Sequence, residues 1–198
     1  MKTALRLGAL TIGAALLPTA AFAHTGVGPT GGFGAGFMHP LGGFDHILAM
    51  VTVGVLAARL GGRAIWMVPG AFLAMMAVGG VLGMTQIHVP FVETGIAVSV
   101  IVLGLVVAFR WTLPVAAASA LAGLFAVFHG HAHGTEMLAG ATGVTYALGF
   151  LLATAALHAA GIGLGYGAGR IGARRQLALQ AGGSAMALAG VALLSGYL

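Results

Sequence analysis

Three imidazoles and a carboxylate crowd into Phe128-His129-Gly130-His131-Ala132-His133-Gly134-Thr135-Glu136, at the end of an apolar run. On a helix, at about 100° per residue, His129, His133 and Glu136 share one face, while His131 points the opposite way. Two imidazoles four residues apart on one helix face can bind a single divalent ion. His129, His133 and Glu136 are therefore the expected ligands, and His131 the outlier. The competing reading is a polar helix end wetted by solvent, and the cost of ionisable groups near a bilayer weighs against it. A second constellation is His39-Pro40-Leu41-Gly42-Gly43-Phe44-Asp45-His46. On one continuous helix the step from His39 to His46 returns to the same face, with Asp45 about 100° aside. An Asp–His pair inside lipid has to be satisfied, so it is a metal site, a proton relay or a hydrogen-bonded structural pair. Asp45 can bind metal itself or accept the distal N–H of an imidazole and fix its tautomer.

These residues are set in a chain built for lipid. Hydrophobic residues make up 60% of the sequence and charged residues 6%, and the mean hydropathy is +1.07. Soluble chains average roughly 25% charged. The 35 glycines are small residues of the kind that let lipid-embedded helices approach closely. With no cysteine, disulfides, thiolate clusters and cysteine nucleophiles are excluded, and metal ligands must be His, Asp, Glu, Met or backbone. The sequence pI of about 10.9 does not indicate nucleic acid, because the basic residues fall at span ends rather than in a patch.

Lys2 and Arg6 precede an apolar run from Leu7 to Leu17, followed by Pro18 and Ala21-Phe22-Ala23. This is a secretory signal peptide over residues 1–23, since the run is shorter than the roughly 20 residues of a spanning helix; an uncleaved anchor is the competing reading. Cleavage after Ala23 leaves His24 at the new N-terminus, where the α-amine and imidazole form a chelating pair. Six apolar runs follow, at about His39–Leu60, Ala64–Met84, Phe91–Phe109, Leu113–His131, Ala139–Gly169 and Gln176–Tyr197. The expected fold is all-α and polytopic, with six transmembrane helices over residues 24–198. Arg59 and Arg63, Arg110, and Arg170, Arg174 and Arg175 all fall in loops on one side. By the positive-inside rule that side is the cytoplasm, so both mature termini face the periplasm of a bacterial inner membrane.

The imidazoles and carboxylates lie on the opposite side or within the spans, a gradient that suits an access route for a cation. His39, His88, Glu93, His131, His133 and Glu136 fall at outward ends, while Asp45 and His46 lie about two turns into span one. In span five Thr154, His158, Gly161, Gly165 and Gly169 form one stripe against which another helix can press. His158 is a packing residue or a deeper metal ligand. The glycine run from Gly161 to Gly167 has no strand before it and is not a dinucleotide fingerprint. Met50 is a gap filler before it is a soft ligand, and His88 and Glu93 form a solvated turn or a capture site.

The HxxxxxDH pattern of His39, Asp45 and His46, with the FHGxAHGxE pattern from Phe128 to Glu136, resembles the HupE/UreJ family of nickel permeases. The resemblance covers essentially the whole mature chain. It implies secondary transport of Ni²⁺, or Co²⁺ in some members, for hydrogenase or urease maturation. It also implies metal roles for His39, Asp45, His46, His129, His133 and Glu136, with His131 at a variable position. The ion is then a transported substrate, with no prosthetic group and no enzymatic step. Ligand chemistry by itself accommodates Ni²⁺, Co²⁺, Zn²⁺ and Cu²⁺ alike. Two rival readings are an intramembrane zinc hydrolase, with Glu136 or Asp45 activating water, and a membrane metal-binding protein that does not transport. Sites spread along depth fit a permeation route better than a single hydrolytic centre.

Overall fold

A computed structural model describes residues 32–137, 141–168 and 174–196; the predicted signal peptide and His24 lie outside these. Among the described residues the chain is all-helical: α1 (Phe33–Met38), a 3₁₀ turn (His39–Leu41), α2 (Phe44–Leu60), α3 (Ala64–Met84), α4 (Val92–Ala108), α5 (Val115–Glu136), α6 (Ala141–Ala168) and α7 (Arg175–Leu194). Helices α3, α5, α6 and α7 are long and apolar enough to cross a membrane, and the pair Phe33–Leu41 with Phe44–Leu60 makes a fifth candidate span. The apolar α4 is shorter, at 17 residues, or about 25 Å. Large apolar side chains such as Leu148, Leu152, Leu164 and Leu188 lie on the outside, as a helix bundle solvated by lipid requires.

The first apolar run departs from the sequence expectation. It is not one helix: it bends by 83° between Leu41 and Phe44. Pro40 sits in the 3₁₀ turn without a backbone donor, Gly42 and Gly43 are poor helix formers, and Gly43 takes an extended conformation (φ −96°, ψ 117°) just before α2. His39 and His46 therefore do not share one helical stripe. Asp45 and His46 belong instead to the first turn of α2, and His39 reaches the same region from the preceding turn.

Glycine sets the helix pairing. In α3 and α5, a Cβ on Gly79 would strike the Val127 carbonyl, and one on Gly83 the His131 carbonyl. Gly54 of α2 meets the His158 carbonyl and Gly161 Cα of α6, while Gly161 meets the Val51 carbonyl and Gly165 meets Ala58. Gly104 of α4 lies against Gly183 and Ala187 of α7, and Gly190 against Ala97 and Ile101. The order of these contacts makes α3 parallel to α5 and α2 parallel to α6, with α4 antiparallel to α7, the directions expected of successive helices alternating through a bilayer. At one end Arg59 joins α2 to α4. Its Nη1 donates to the carbonyls of Val106 (2.8 Å) and Val107 (3.2 Å), and its Nη2 to that of Trp111. The guanidinium thus caps helix-terminal carbonyls, where a cation also complements the helix dipole.

Candidate metal site

The glycines of the histidine motif in α5 are packing residues. A Cβ on Gly130 would overlap the Met76 carbonyl, and one on Gly134 the Gly80 carbonyl. Because α3 presses against that side, the histidines on the other side of α5 are held toward α2 and the 3₁₀ turn. His131, on the α3 side, donates from Nε2 to the Ile87 carbonyl at 2.9 Å, tying α5 to the α3–α4 connection. It is the outlier that helical spacing predicts.

The remaining groups form a chain running inward. Glu136 is at the rim, with its side chain 35% exposed, and its Oε2 lies 3.7 Å from His39 Nε2. The same His39 nitrogen is 2.9 Å from His133 Nδ1. One donor atom from each of His39, His133 and Glu136 falls within 4.8 Å of the others, a trio able to hold a metal ion. His133 Nε2 is 3.1 Å from His46 Nδ1, which is 3.3 Å from His129 Nδ1. His129 is fully buried, two turns or about 10 Å below Glu136 along the helix. Phe150 of α6 lines one side, its ring centroid 4.8 Å from that of His133, 5.4 Å from His46 and 5.9 Å from His39.

Ser99 fixes the inner end of this chain. Its hydroxyl donates to the Ile96 carbonyl at 2.6 Å, so toward His129 Nε2, 2.9 Å away, it can only accept. His129 therefore carries its proton on Nε2 and turns the Nδ1 lone pair toward His46. Around His46 Nδ1, either one proton serves two acceptors, or two imidazole lone pairs face each other without a proton. In both cases lone pairs outnumber protons, an arrangement that a cation satisfies. Asp45, in the first turn of α2, interacts electrostatically with His129 and offsets the positive end of the α2 dipole next to the candidate site.

The structure thus brings together His39, His46, His129, His133 and Glu136, with Asp45 beside them. The trio of closest donors draws on His39 rather than His129, because the break after Leu41 swings His39 over the α5 motif. His158 is buried on α6 and packs against Phe72 at 5.2 Å between centroids, making no hydrogen bond to this chain. Met50 belongs to the apolar core, and His88 and Glu93 are exposed. Sequence reasoning missed Ser99 and Phe150. Ser99 had one available signal, a hydroxyl between Val98 and Val100 in an otherwise apolar stretch; Phe150 had none.

Two outcomes follow from this geometry. Ser99→Ala removes the acceptor that sets the His129 tautomer and should weaken metal affinity about 10- to 100-fold, the usual cost of losing a group that orients a ligand; isothermal titration of purified protein measures it. His131→Ala should leave most metal uptake intact at equal protein level, whereas His133→Ala should not. Uptake of radioactive nickel by cells compares them, and equal damage would contradict the assignment of His131 to packing.

The family model described as HupE / UreJ protein matches residues 12–193. The chain is also 48% identical over 186 residues to Protein HupE of Rhizobium leguminosarum bv. viciae, covering 94% of this chain and 96% of that protein. No solved structure matches. With the two histidine motifs meeting in one site and the family match running nearly end to end, the chain belongs to the HupE/UreJ family.

Proposed function

We propose that the protein is a secondary transporter that moves Ni²⁺, or Co²⁺, across the bacterial inner membrane into the cytoplasm. The observation that carries this reading is the lone-pair-rich chain from Glu136 through His39, His133 and His46 to His129, which starts at an exposed rim and ends at a fully buried ring. An ion leaving water for hydrocarbon has to exchange its hydration shell for protein ligands, and graded ligands along depth provide that exchange. The HupE/UreJ family is associated with nickel and cobalt uptake for hydrogenase or urease, which favours these ions over the others that imidazole and carboxylate accept. Metal delivered to such maturation is the use the reading implies.

In this reading His39, His133 and Glu136 receive the ion, Asp45, His46 and His129 carry it inward, and His24 at the mature N-terminus captures it when metal is scarce. The chain crosses the membrane six times, with the bent first run as one crossing and α4 as the shortest. The ends bearing Arg59, Arg63, Arg110 and Arg174 face the cytoplasm, and Thr135 faces the periplasm. A zinc hydrolase is less well served, because the carboxylate of Glu136 sits at the wet rim and the Ser99 hydroxyl is committed to a backbone carbonyl.

Orientation is testable in this cysteine-free background. Single cysteines at Thr135 and Ala173 are exposed to a membrane-impermeant thiol reagent in cells with a permeabilised outer membrane. Labelling at position 135 and not at 173 is expected; the reverse would overturn the orientation. Transport itself is tested by radioactive nickel uptake in cells with and without the protein.

A further inference from the structure

A second group of buried polar atoms makes none of the hydrogen bonds of the chain just described. Thr154 Oγ1, both ring nitrogens of His158, and His46 Nε2 are buried and without a hydrogen-bond partner among the described residues. Thr154 is 0% exposed, His158 2% and His46 1%. A buried polar atom left unpaired is destabilising, so four together mark a place where something other than protein satisfies them.

Their placement is specific. Thr154 and His158 stand one turn apart on the same face of α6. The close approach at Gly54 puts the His158 backbone against α2, two turns below His46. Helical side chains tilt toward the helix N-terminus, which raises the His158 ring from that level toward His46, and the two imidazoles are within electrostatic reach. Phe72 packs against both His158 and His129, at 5.2 and 5.9 Å between centroids, closing the apolar side.

We infer that His158 and Thr154, with Nε2 of His46, form a second, inner coordination position for a divalent transition-metal ion. The His46 ring belongs to both positions: Nδ1 faces His129 and His133, and Nε2 is the unpartnered nitrogen. One ring can therefore pass an ion inward through its two nitrogens. The inner donors are neutral, two imidazoles and a hydroxyl, without a carboxylate. Such a set binds a dication more weakly than the outer cluster, which is what release from a multi-site path requires. The handover role rests on the transport reading; the coordination position does not.

The test uses the full-length protein, purified in detergent, with Ni²⁺ as the probe in equilibrium dialysis. A His133→Ala/Glu136→Gln double variant disables the outer trio and should retain weaker, saturable Ni²⁺ binding. Adding His158→Leu to it should remove that binding, and adding Thr154→Val should weaken it several-fold. Because leucine could disturb packing, His158→Gln is measured alongside; it preserves size and polarity, and loss of the imidazole should still lower inner binding about tenfold or more. Residual binding that is absent from the double variant, or indifferent to both His158 substitutions, overturns the inner position. In proteoliposomes His158→Leu alone should lower the maximal uptake rate about tenfold or more with the half-saturating concentration unchanged. If wild-type vesicles accumulate no Ni²⁺ while His158-dependent binding persists, transport fails and the inner position stands.

Discussion

His46→Ala is expected to abolish Ni²⁺ uptake at every external concentration, while the protein is made and folded normally. The ring sits where the chain converges, 3.1 Å from His133 and 3.3 Å from His129, so its removal leaves no imidazole linking His133 to His129. Substitutions of groups that merely orient a ligand cost roughly 10- to 100-fold, and loss of a ligand in the middle of the path should exceed that. More metal outside cannot replace a missing internal donor. Asp45→Asn should behave similarly, since it removes the charge facing His129 and the α2 dipole. His24→Ala should instead raise the half-saturating concentration and be rescued by excess metal. Uptake across a range of Ni²⁺ concentrations separates the cases, and full recovery of Asp45→Asn at high metal would make Asp45 peripheral.

Gly130→Leu is expected to destroy the fold rather than the chemistry. The new Cβ would coincide with the backbone carbonyl of Met76, with Gly80 immediately beyond. Overpacking that flexible side chains can absorb costs about 1–3 kcal/mol; here backbone meets backbone, so α3 and α5 must separate and the cost should exceed that range. Purified yield and thermal unfolding in detergent should both collapse, with Gly130→Ala intermediate. Gly163→Ala and Gly182→Ala, where an added Cβ meets nothing within 4 Å, should leave unfolding unchanged. A stable Gly130→Leu protein with intact unfolding would show that the α3–α5 contact is not what holds the motif.

Composition and the two motifs made much of this legible in advance. Lipid-like composition and long apolar runs specify an all-helical membrane chain, and the spacing of His129, His133 and Glu136 specifies which ring of the motif turns away. The break at Gly42-Gly43 went unread because the apolar residues continue across it, although Pro40, Gly42 and Gly43 are the local signal for it. That break explains why His39, rather than His129, joins the outer trio. The glycines of the FHGxAHGxE pattern read as part of a metal motif, yet Gly130 and Gly134 serve the neighbouring helix. Ser99 escaped notice because one hydroxyl in an apolar helix has no periodicity; its role arises from the approach of α4 to α5, which sequence spacing within either helix does not encode.

The claim that the imidazole chain is a path rather than a storage site is tested most directly by radioactive nickel accumulation in sealed proteoliposomes containing purified wild-type protein or His46→Ala. Wild-type vesicles should take up Ni²⁺ saturably into the lumen, recoverable only after the membrane is permeabilised, and His46→Ala vesicles should match protein-free ones. Saturable nickel that stays on the protein and is stripped by an external chelator would contradict the account.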